Sequence, residues 1–370
     1  MKIGVAATVL NTEHVRGMGR YAYELMRHST GHPGVQWRAY GDNPAQPLHL
    51  PAGVPVQGEV FTCRGDRFRA WEQLGLPLRL RRANIDLLHC PDGVLPLWQP
   101  KPTVVTLHDT MAWDDREDGR ISEIYWERVI PAALHKSAAI ITGSLCARDD
   151  ISAKWPALAQ KLHVIPHGID EAFLARADSP LPASLAARLQ GKPFLLYLGG
   201  PLPRKRFGWA MEVLAACRDP QLQLVACGFN RATRGAAQDS IPPALKERVH
   251  IAEFVTDAEM RALYRQAGAM LYPTLYEGFG FPAVEAQASG TPTIFSALGS
   301  LKELIGPLTL AVPANDIAAW VQAVQQAIAM PPAERAQRAA DTAAWVRREF
   351  VWPVSLARHL DIFRSVLERT

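Results

Sequence analysis

The sequence predicts an α/β fold of two doubly wound halves, and three observations predict it. The chain is 370 residues long, more than a single hydrophobic core usually encloses. Short apolar runs of strand length alternate with longer amphipathic stretches, as strands alternate with helices. That alternation runs twice, on either side of residues 175–192, a segment rich in Ala, Leu, Pro and Ser with no strand signal.

In the first half the strand candidates are residues 2–10, 37–40, 87–89, 103–107, 139–142 and 163–165, with helical stretches beginning near Gly19, Ile121 and Ser144. In the second half they are 194–198, 223–226, 249–251, 269–271, 293–295 and 308–312. The expected organisation is a Rossmann-like domain over 1–174, a linker over 175–192 and a second Rossmann-like domain over 193–352. Open sheets of this kind bind ligands beyond the carboxyl ends of their strands, so two facing halves would put both sets of loops into one cleft.

Composition narrows the function. Hydrophobic residues make up 48% and charged residues 21% of the chain, an ordinary globular balance. A formal net charge of +4 is too small for general nucleic-acid binding but leaves room for a local anion site. The cysteines (Cys63, Cys90, Cys146, Cys217 and Cys227) are scattered and lack metal-type spacing. With no signal peptide at Met1, they read as reduced thiols of a cytoplasmic protein. No His-Glu-x-x-His or similar ligand set appears, so no metal is expected. No apolar run approaches the length of a membrane span.

The most informative stretch is residues 272–292, where a strand candidate ending at Tyr272 leads into Glu277-Gly278-Phe279-Gly280-Phe281-Pro282. Pro282 suits the first helical position, and Gly290 ends the helix. A helix entered through glycines presents backbone N–H groups and a positive dipole end, which suits a phosphate. Glu277 lies in the turn and Glu285 about one turn into the helix. One carboxylate can then face a sugar while the other accepts hydrogen bonds from a diol such as ribose. The bland reading is a capped helix with two solvated glutamates. A second signal follows the first strand of the second half, where Gly199 and Gly200 precede Arg204, Lys205 and Arg206. Arginine engages phosphate oxygens in a forked geometry and lysine adds a compact charge, so these cations can neutralise a diphosphate leaving group. The alternative is a solvated basic turn.

These two stretches resemble the retaining family 4 glycosyltransferases of GT-B fold, whose Glu-x7-Glu motif becomes Glu277/Glu285 here and whose Gly-x4-Arg-Lys loop becomes Gly199 followed by Arg204 and Lys205. The resemblance extends to Val15-Arg16-Gly17-Met18-Gly19, to Leu107-His108-Asp109, to Gly143-Ser144, to Pro166-His167-Gly168 and to Phe350-Val351-Trp352. It therefore spans essentially the whole chain in order. The GT-B fold so implied includes a C-terminal helix, about 353–370, that crosses back to the first domain. Glu285 would bind the ribose hydroxyls, and Glu277 would hold the donor sugar. Gly278, Phe279, Gly280 and Phe281 would meet the sugar and phosphates, with Arg204 and Lys205 stabilising the departing diphosphate. Gly17 and Gly19 would allow close approach of the first loop. His108 would hydrogen-bond the donor sugar, with Asp109 orienting the acceptor or His108, and Val255 would lie at the wall of the nucleotide base.

The implied reaction is transfer of a hexose or deoxyhexose from a nucleotide diphosphate sugar to a glycan or lipid-linked glycan, by front-face substitution with retention and without a metal or other cofactor. The pattern resembles bacterial surface-polysaccharide mannosyl- and rhamnosyltransferases, which favours GDP over UDP. The chain departs from the family at Glu253, where glycine is usual, at Gly200, where a side chain is common, and at His167, which replaces a common asparagine and reads as a structural turn residue.

Residues 64–82 mix Arg64, Arg67, Arg69, Arg79, Arg81 and Arg82 with Trp71, Leu74, Leu76 and Leu80. Such a stretch either lies on an anionic membrane or is an N-domain helix with a solvated basic face. The first reading puts peripheral contact at the inner face of the cytoplasmic membrane. Among rival functions, a dinucleotide-dependent oxidoreductase would use Gly17, Gly19 and Ala22 as G-x-G-x-x-A with Asp42 on the ribose. Residues 11–16 intervene between strand and turn, which is the wrong context. A non-catalytic binding subunit would not need Glu277, Glu285, Arg204 and Lys205 together. An epimerase on the same fold is the nearest enzymatic alternative.

Overall fold

The computed structural model describes residues 1–15, 17–114, 123–175 and 180–369. Arg16, the expected helix start at Ile121, residues 176–179 of the expected linker and Thr370 lie outside the described residues, as do the side chains of Phe68 and Arg69. The chain divides into two units, Met1–Gly168 with Trp352–Thr370, and Ile169–Val351.

The first unit holds a seven-stranded sheet: β1 (Lys2–Ala6), β2 (Gln36–Gly41), β3 (Val56–Val60), β4 (Leu87–Cys90), β5 (Thr103–Thr106), β6 (Ala139–Thr142) and β7 (Leu162–Val164), in the order β3-β2-β1-β4-β5-β6-β7. The second holds six: β8 (Phe194–Leu198), β9 (Gln223–Cys227), β10 (Val249–Ile251), β11 (Ala269–Tyr272), β12 (Thr293–Phe295) and β13 (Thr309–Ala311), in the order β10-β9-β8-β11-β12-β13. Every pairing is parallel. Parallel strands are covered on both faces, which is why the central ones read as mostly apolar runs rather than alternating ones. All four residues of β4, β5, β6 and β11 are buried. Each sheet reverses its winding once, between β1 and β4 and between β8 and β11. Beyond the carboxyl ends of those pairs is where such sheets take ligands.

The elements differ from the sequence reading in three places. The first strand stops at Ala6, and Thr8–Leu10 form a 3-10 turn in which Leu10 N–H donates to Ala7 C=O at 3.0 Å. Residues 7–17 therefore separate β1 from its helix, Met18–Arg27, which removes the tight phosphate turn that a dinucleotide site needs. Strand β3 was not foreseen. It is an edge strand with two exposed residues and a glycine at its centre, so its V-Q-G-E-V alternation carries little apolar signal. Finally, the expected linker contains the helix Ala183–Leu189, whose Leu185 and Leu189 are buried in the core of the second unit. The chain changes unit at 168/169 instead. Residues 183–189 carry no strand signal because they are helical.

The C-terminal helix, Trp352–Glu368, belongs to the first unit. Trp352, Leu356, His359, Leu360, Phe363 and Val366 form its buried stripe, at the spacing of one helical face.

Candidate functional site

In the second unit the loops after β8 and β11 converge. Leu275 N–H donates to Arg204 C=O at 3.0 Å, tying the two loops together. Arg204 Nη1 donates to Tyr276 C=O at 2.8 Å and reaches Glu277 Oε2 at 3.4 Å. Lys205 Nζ forms a short ion pair with Glu277 Oε1 and sits 5.4 Å from the centre of the Tyr272 ring. Glu277, Arg204 and Lys205, far apart in sequence, thus form one cluster beyond the β8/β11 switch. Glu277 is 8% exposed, so it is not the solvated glutamate of the bland reading. Burial pushes the Lys205 ammonium below the usual lysine range, and Arg204 acts in the same direction against the pull of Glu277.

The third cation separates from the other two. Arg206 adopts a left-handed conformation at φ 54°, donates to Ala314 C=O at 2.6 Å and packs 4.1 Å over the Trp209 ring. Its role is to turn the chain into the helix Phe207–Ala216. Gly199 follows β8, its N–H directed to Cys227 C=O at 3.3 Å.

The helix Phe281–Ala288 enters through Gly280 at φ 105° with no side-chain cap, Pro282 lies in its first turn, and Gly290 follows its end at φ 81°. Gly278 and Phe279 are buried in the turn before it. That turn is pinned by a residue the sequence reading missed: Ser300 Oγ lies 2.7 Å from Glu277 C=O and 3.0 Å from Phe279 C=O. No motif marks Ser300, which arrives from a later 3-10 turn, Gly299–Leu304. Phe279 meets Phe281 edge to face at 5.1 Å. Glu285, half-buried, accepts from Tyr264 O–H at 3.1 Å. Val255 is half-buried after β10 and packs on the core, while Glu253 is exposed and pairs with Arg234 at 3.0 Å.

The first unit gathers its candidates differently. Gly17, at φ 49°, precedes the helix Met18–Arg27, and at Gly19 a Cβ would overlap the Val9 carbonyl. Gly19 is therefore required by packing of that helix on the Thr8–Leu10 turn. His108 follows β5; its Nε2 lies 2.8 Å from Pro91 C=O and its Nδ1 lies 3.1 Å from His167 Nε2. The ring is thus set by Pro91 and His167, whereas Asp109 Oδ1 accepts from Met111 N–H at 2.9 Å. His167 was read as a turn residue alone; it is buried and bonded to His108. The only hint in the sequence was its departure from asparagine.

Around these rings lies a network that no spacing announces. His359 Nδ1–H donates to Ser355 C=O at 2.7 Å, leaving Nε2 to accept from Tyr21 O–H at 2.7 Å. Thr106 O–H then donates to Tyr21 at 2.8 Å, and His89 Nε2–H donates to Thr106 at 2.9 Å. Burial pushes His359 down to about 4 and holds His89 and His167 well below the ordinary histidine value, with neighbouring histidines adding to the effect. Burial lowers His108 as well. Among the described residues no group of three or more His, Cys, Asp and Glu side chains is arranged to hold a metal ion.

The basic stretch divides in two. Arg67 turns inward, donating to Asp92 at 2.7 Å and to Thr8 at 2.6 Å, and Trp71, Leu76 and Leu80 are buried. Arg79 pairs with Glu59. Leu74 and Leu78 are exposed at 59% and 56%, beside exposed Arg81 and Arg82. No helix among the described residues is long and apolar enough to cross a membrane.

Comparison with known proteins places this geometry. Residues 192–330 match the family model for glycosyl transferases group 1, and residues 15–173 match that for Glycosyltransferase Family 4. The chain is 23% identical to the O-antigen chain mannosyltransferase RfbU of Salmonella typhimurium, across 70% of each chain. It is 28% identical to the MMP alpha-(1->4)-mannosyltransferase of Mycolicibacterium hassiacum over 69% of this chain and 62% of that one. It is 33% identical to a glycogen synthase of Mycobacterium tuberculosis, over 71% of this chain and 66% of the relative. In fold it resembles Anabaena HepE in complex with UDP and glucose, with a TM-score of 0.75 and 16% identity over 99% of this chain and 100% of that one. WaaG, a glycosyltransferase involved in lipopolysaccharide biosynthesis, aligns with a TM-score of 0.68 and 14% identity over 96% and 97% of the two chains.

Proposed function

Because this chain belongs to the family 4 and group 1 glycosyltransferases of GT-B fold, we propose that it moves a hexose or deoxyhexose from a nucleoside diphosphate sugar to a glycan or lipid-linked glycan in bacterial polysaccharide synthesis. The observation that carries this is the meeting of Arg204 and Lys205 with Glu277 beyond the β8/β11 switch. Two cations held by one buried carboxylate at the entrance of a helix are preorganised for an anion. Such preorganisation is what makes electrostatic stabilisation of a leaving group effective. A diphosphate entering there exchanges places with Glu277 as the partner of the cations and frees that carboxylate for the sugar hydroxyls. Glu285, on the following helix, is the ribose-binding carboxylate of this reading.

In the step itself the bond from the sugar anomeric carbon to the phosphate oxygen breaks, and its electron pair leaves with the nucleoside diphosphate. The acceptor oxygen bonds to the same face of that carbon. Its proton passes to the departing phosphate oxygen, so the configuration is retained and neither a protein base nor a metal is required. Arg204 and Lys205 stabilise the developing charge, and positioning supplies much of the remainder. GDP is the preferred nucleotide, a reading supported by the mannosyltransferases among the relatives. The exposed Leu74, Leu78, Arg81 and Arg82 are the surface that would rest on an anionic membrane carrying a lipid-linked acceptor.

Replacing Lys205 with Ala tests the assignment. Transfer from the preferred sugar nucleotide should fall by about a hundredfold or more, with the melting temperature little changed. Undiminished transfer by that variant, or a wild-type protein whose melting temperature responds to no nucleoside diphosphate, overturns the reading.

A further inference from the structure

We infer that Glu253 selects the base of the donor nucleotide: its carboxylate accepts from N1–H and N2–H of guanine, while Phe254 beside it offers an exposed ring for the base to rest against. This rests on the proposed transfer from a nucleoside diphosphate sugar and gives the preference for GDP a residue.

The position follows from the second unit alone. Arg204 and Lys205, which meet the diphosphate in that reading, lie beyond β8 and β11. Residues 252–256 leave β10 at the same carboxyl edge of the sheet, where such sheets take ligands. Two strand spacings separate β10 from β8, about 10 Å, a span that a nucleoside diphosphate covers when extended from phosphate to base. The loop also borders the entrance of the helix Phe281–Ala288. Ala252 and Phe279 are buried in one apolar cluster, with Val255 and Phe281 packed against it. Thr256 caps the helix Asp257–Gln266, whose Tyr264 donates to Glu285. Between those anchors Glu253 and Phe254 stay accessible, the Glu253 side chain 67% exposed and Phe254 69%.

Arg234 Nη1 pairs with Glu253 Oε1 at 3.0 Å. That contact restrains the carboxylate without exhausting its acceptor sites, of which an ionised carboxylate has about four. The selectivity lies in the edges of the bases. Guanine presents two neighbouring donors, N1–H and N2–H, which match the two oxygens of a carboxylate. Uracil presents one N–H between two carbonyl oxygens. Adenine and cytosine each set an amino group beside a bare ring nitrogen. Every base but guanine therefore brings a lone pair against the negative charge. Stacking tolerates any base, so Phe254 contributes affinity and Glu253 the choice.

Calorimetric titration of the whole chain with GDP and with UDP tests this. The wild type should bind GDP about tenfold or more tightly than UDP, as one bidentate pair provides. Glu253→Ala should bind the two alike. Glu253→Gln should lose GDP affinity and gain UDP affinity, because its amide N–H meets a uracil carbonyl that the carboxylate repels. Phe254→Ala should weaken both nucleotides by the same factor, and Arg234→Ala should keep the preference for GDP. Both loop side chains are exposed, so the melting temperatures without nucleotide should be unchanged. An unaltered ratio of GDP to UDP affinity in Glu253→Ala overturns the inference. So does a preference lost as fully in Arg234→Ala as in Glu253→Ala, which would assign it to the ion pair. A wild type that binds UDP as tightly as GDP overturns it while leaving the transfer reading intact; one that binds neither overturns both.

Discussion

Acidifying the protein should unfold its first unit early, and replacing His359 with Gln should remove much of that sensitivity. His359 is 0% exposed, with its folded-state pKa lowered from 6.5 to about 4 by burial. Between those values the unfolded chain binds a proton that the folded chain refuses, so stability rises with pH through this window and is lost as pH falls. Each tenfold change in proton affinity corresponds to about 1.4 kcal/mol. Going from about pH 8 to about pH 5 should then cost about 2 kcal/mol through His359 alone. For a unit of this size that is a drop of roughly 4–8 °C in melting temperature. His89, His167 and His108 are displaced in the same direction and add to the effect. In His359→Gln the side-chain oxygen takes the place of Nε2 and still accepts from Tyr21, but the group no longer titrates. Calorimetry of both proteins at the two pH values isolates this contribution, because every other titrating group is common to the pair. Equal pH dependence in the two proteins would refute the argument, since it would mean that His359 charges as readily when folded as when unfolded.

Glu72 should behave in the opposite sense. Burial raises it from 4.5 to about 8, with Tyr125 O–H donating to it at 2.5 Å, so the folded state binds the extra proton and stability falls as pH rises toward 8. Glu72→Gln keeps the acceptor and should raise the melting temperature by several degrees near pH 8 and little near pH 5. Ser300→Ala should cost about 1–2 kcal/mol of stability by leaving the carbonyls of Glu277 and Phe279 without their hydroxyl donor, and should weaken nucleoside diphosphate binding measured by calorimetry. Leu74→Glu with Leu78→Glu should leave transfer to a soluble acceptor intact while abolishing co-sedimentation with anionic vesicles. Retained co-sedimentation would remove this surface from the membrane reading.

The central strands were legible because parallel strands, covered on both faces, leave mostly apolar runs in the sequence. The first strand was drawn too long because Thr8–Leu10 is as apolar as a strand but turns. Strand β3 escaped because an edge needs few apolar residues. The cluster of Arg204, Lys205 and Glu277 was legible because each loop follows a strand, and the carboxyl ends of strands at a switch point are physically close. The division between Lys205 and Arg206 was not, because only backbone geometry decides that Arg206 sits at φ 54° and faces Ala314. The histidine network was least legible of all. Tyr21, His89, Thr106, His167 and His359 come from five separate places along the chain, and of these only His167 drew notice in the sequence, as a departure from asparagine.

The two units share a strand order but manage charge in opposite ways. In the second, two cations pair with one buried carboxylate where the proposed reaction places an anion. In the first, buried rings are kept neutral, and their directional hydrogen bonds admit a single pattern of protons. The second arrangement suits the task proposed for it, because a leaving diphosphate must be met by full charge. Removing a cation should therefore slow departure of the nucleotide for every sugar alike, and a panel of sugar nucleotides that share one base would test this.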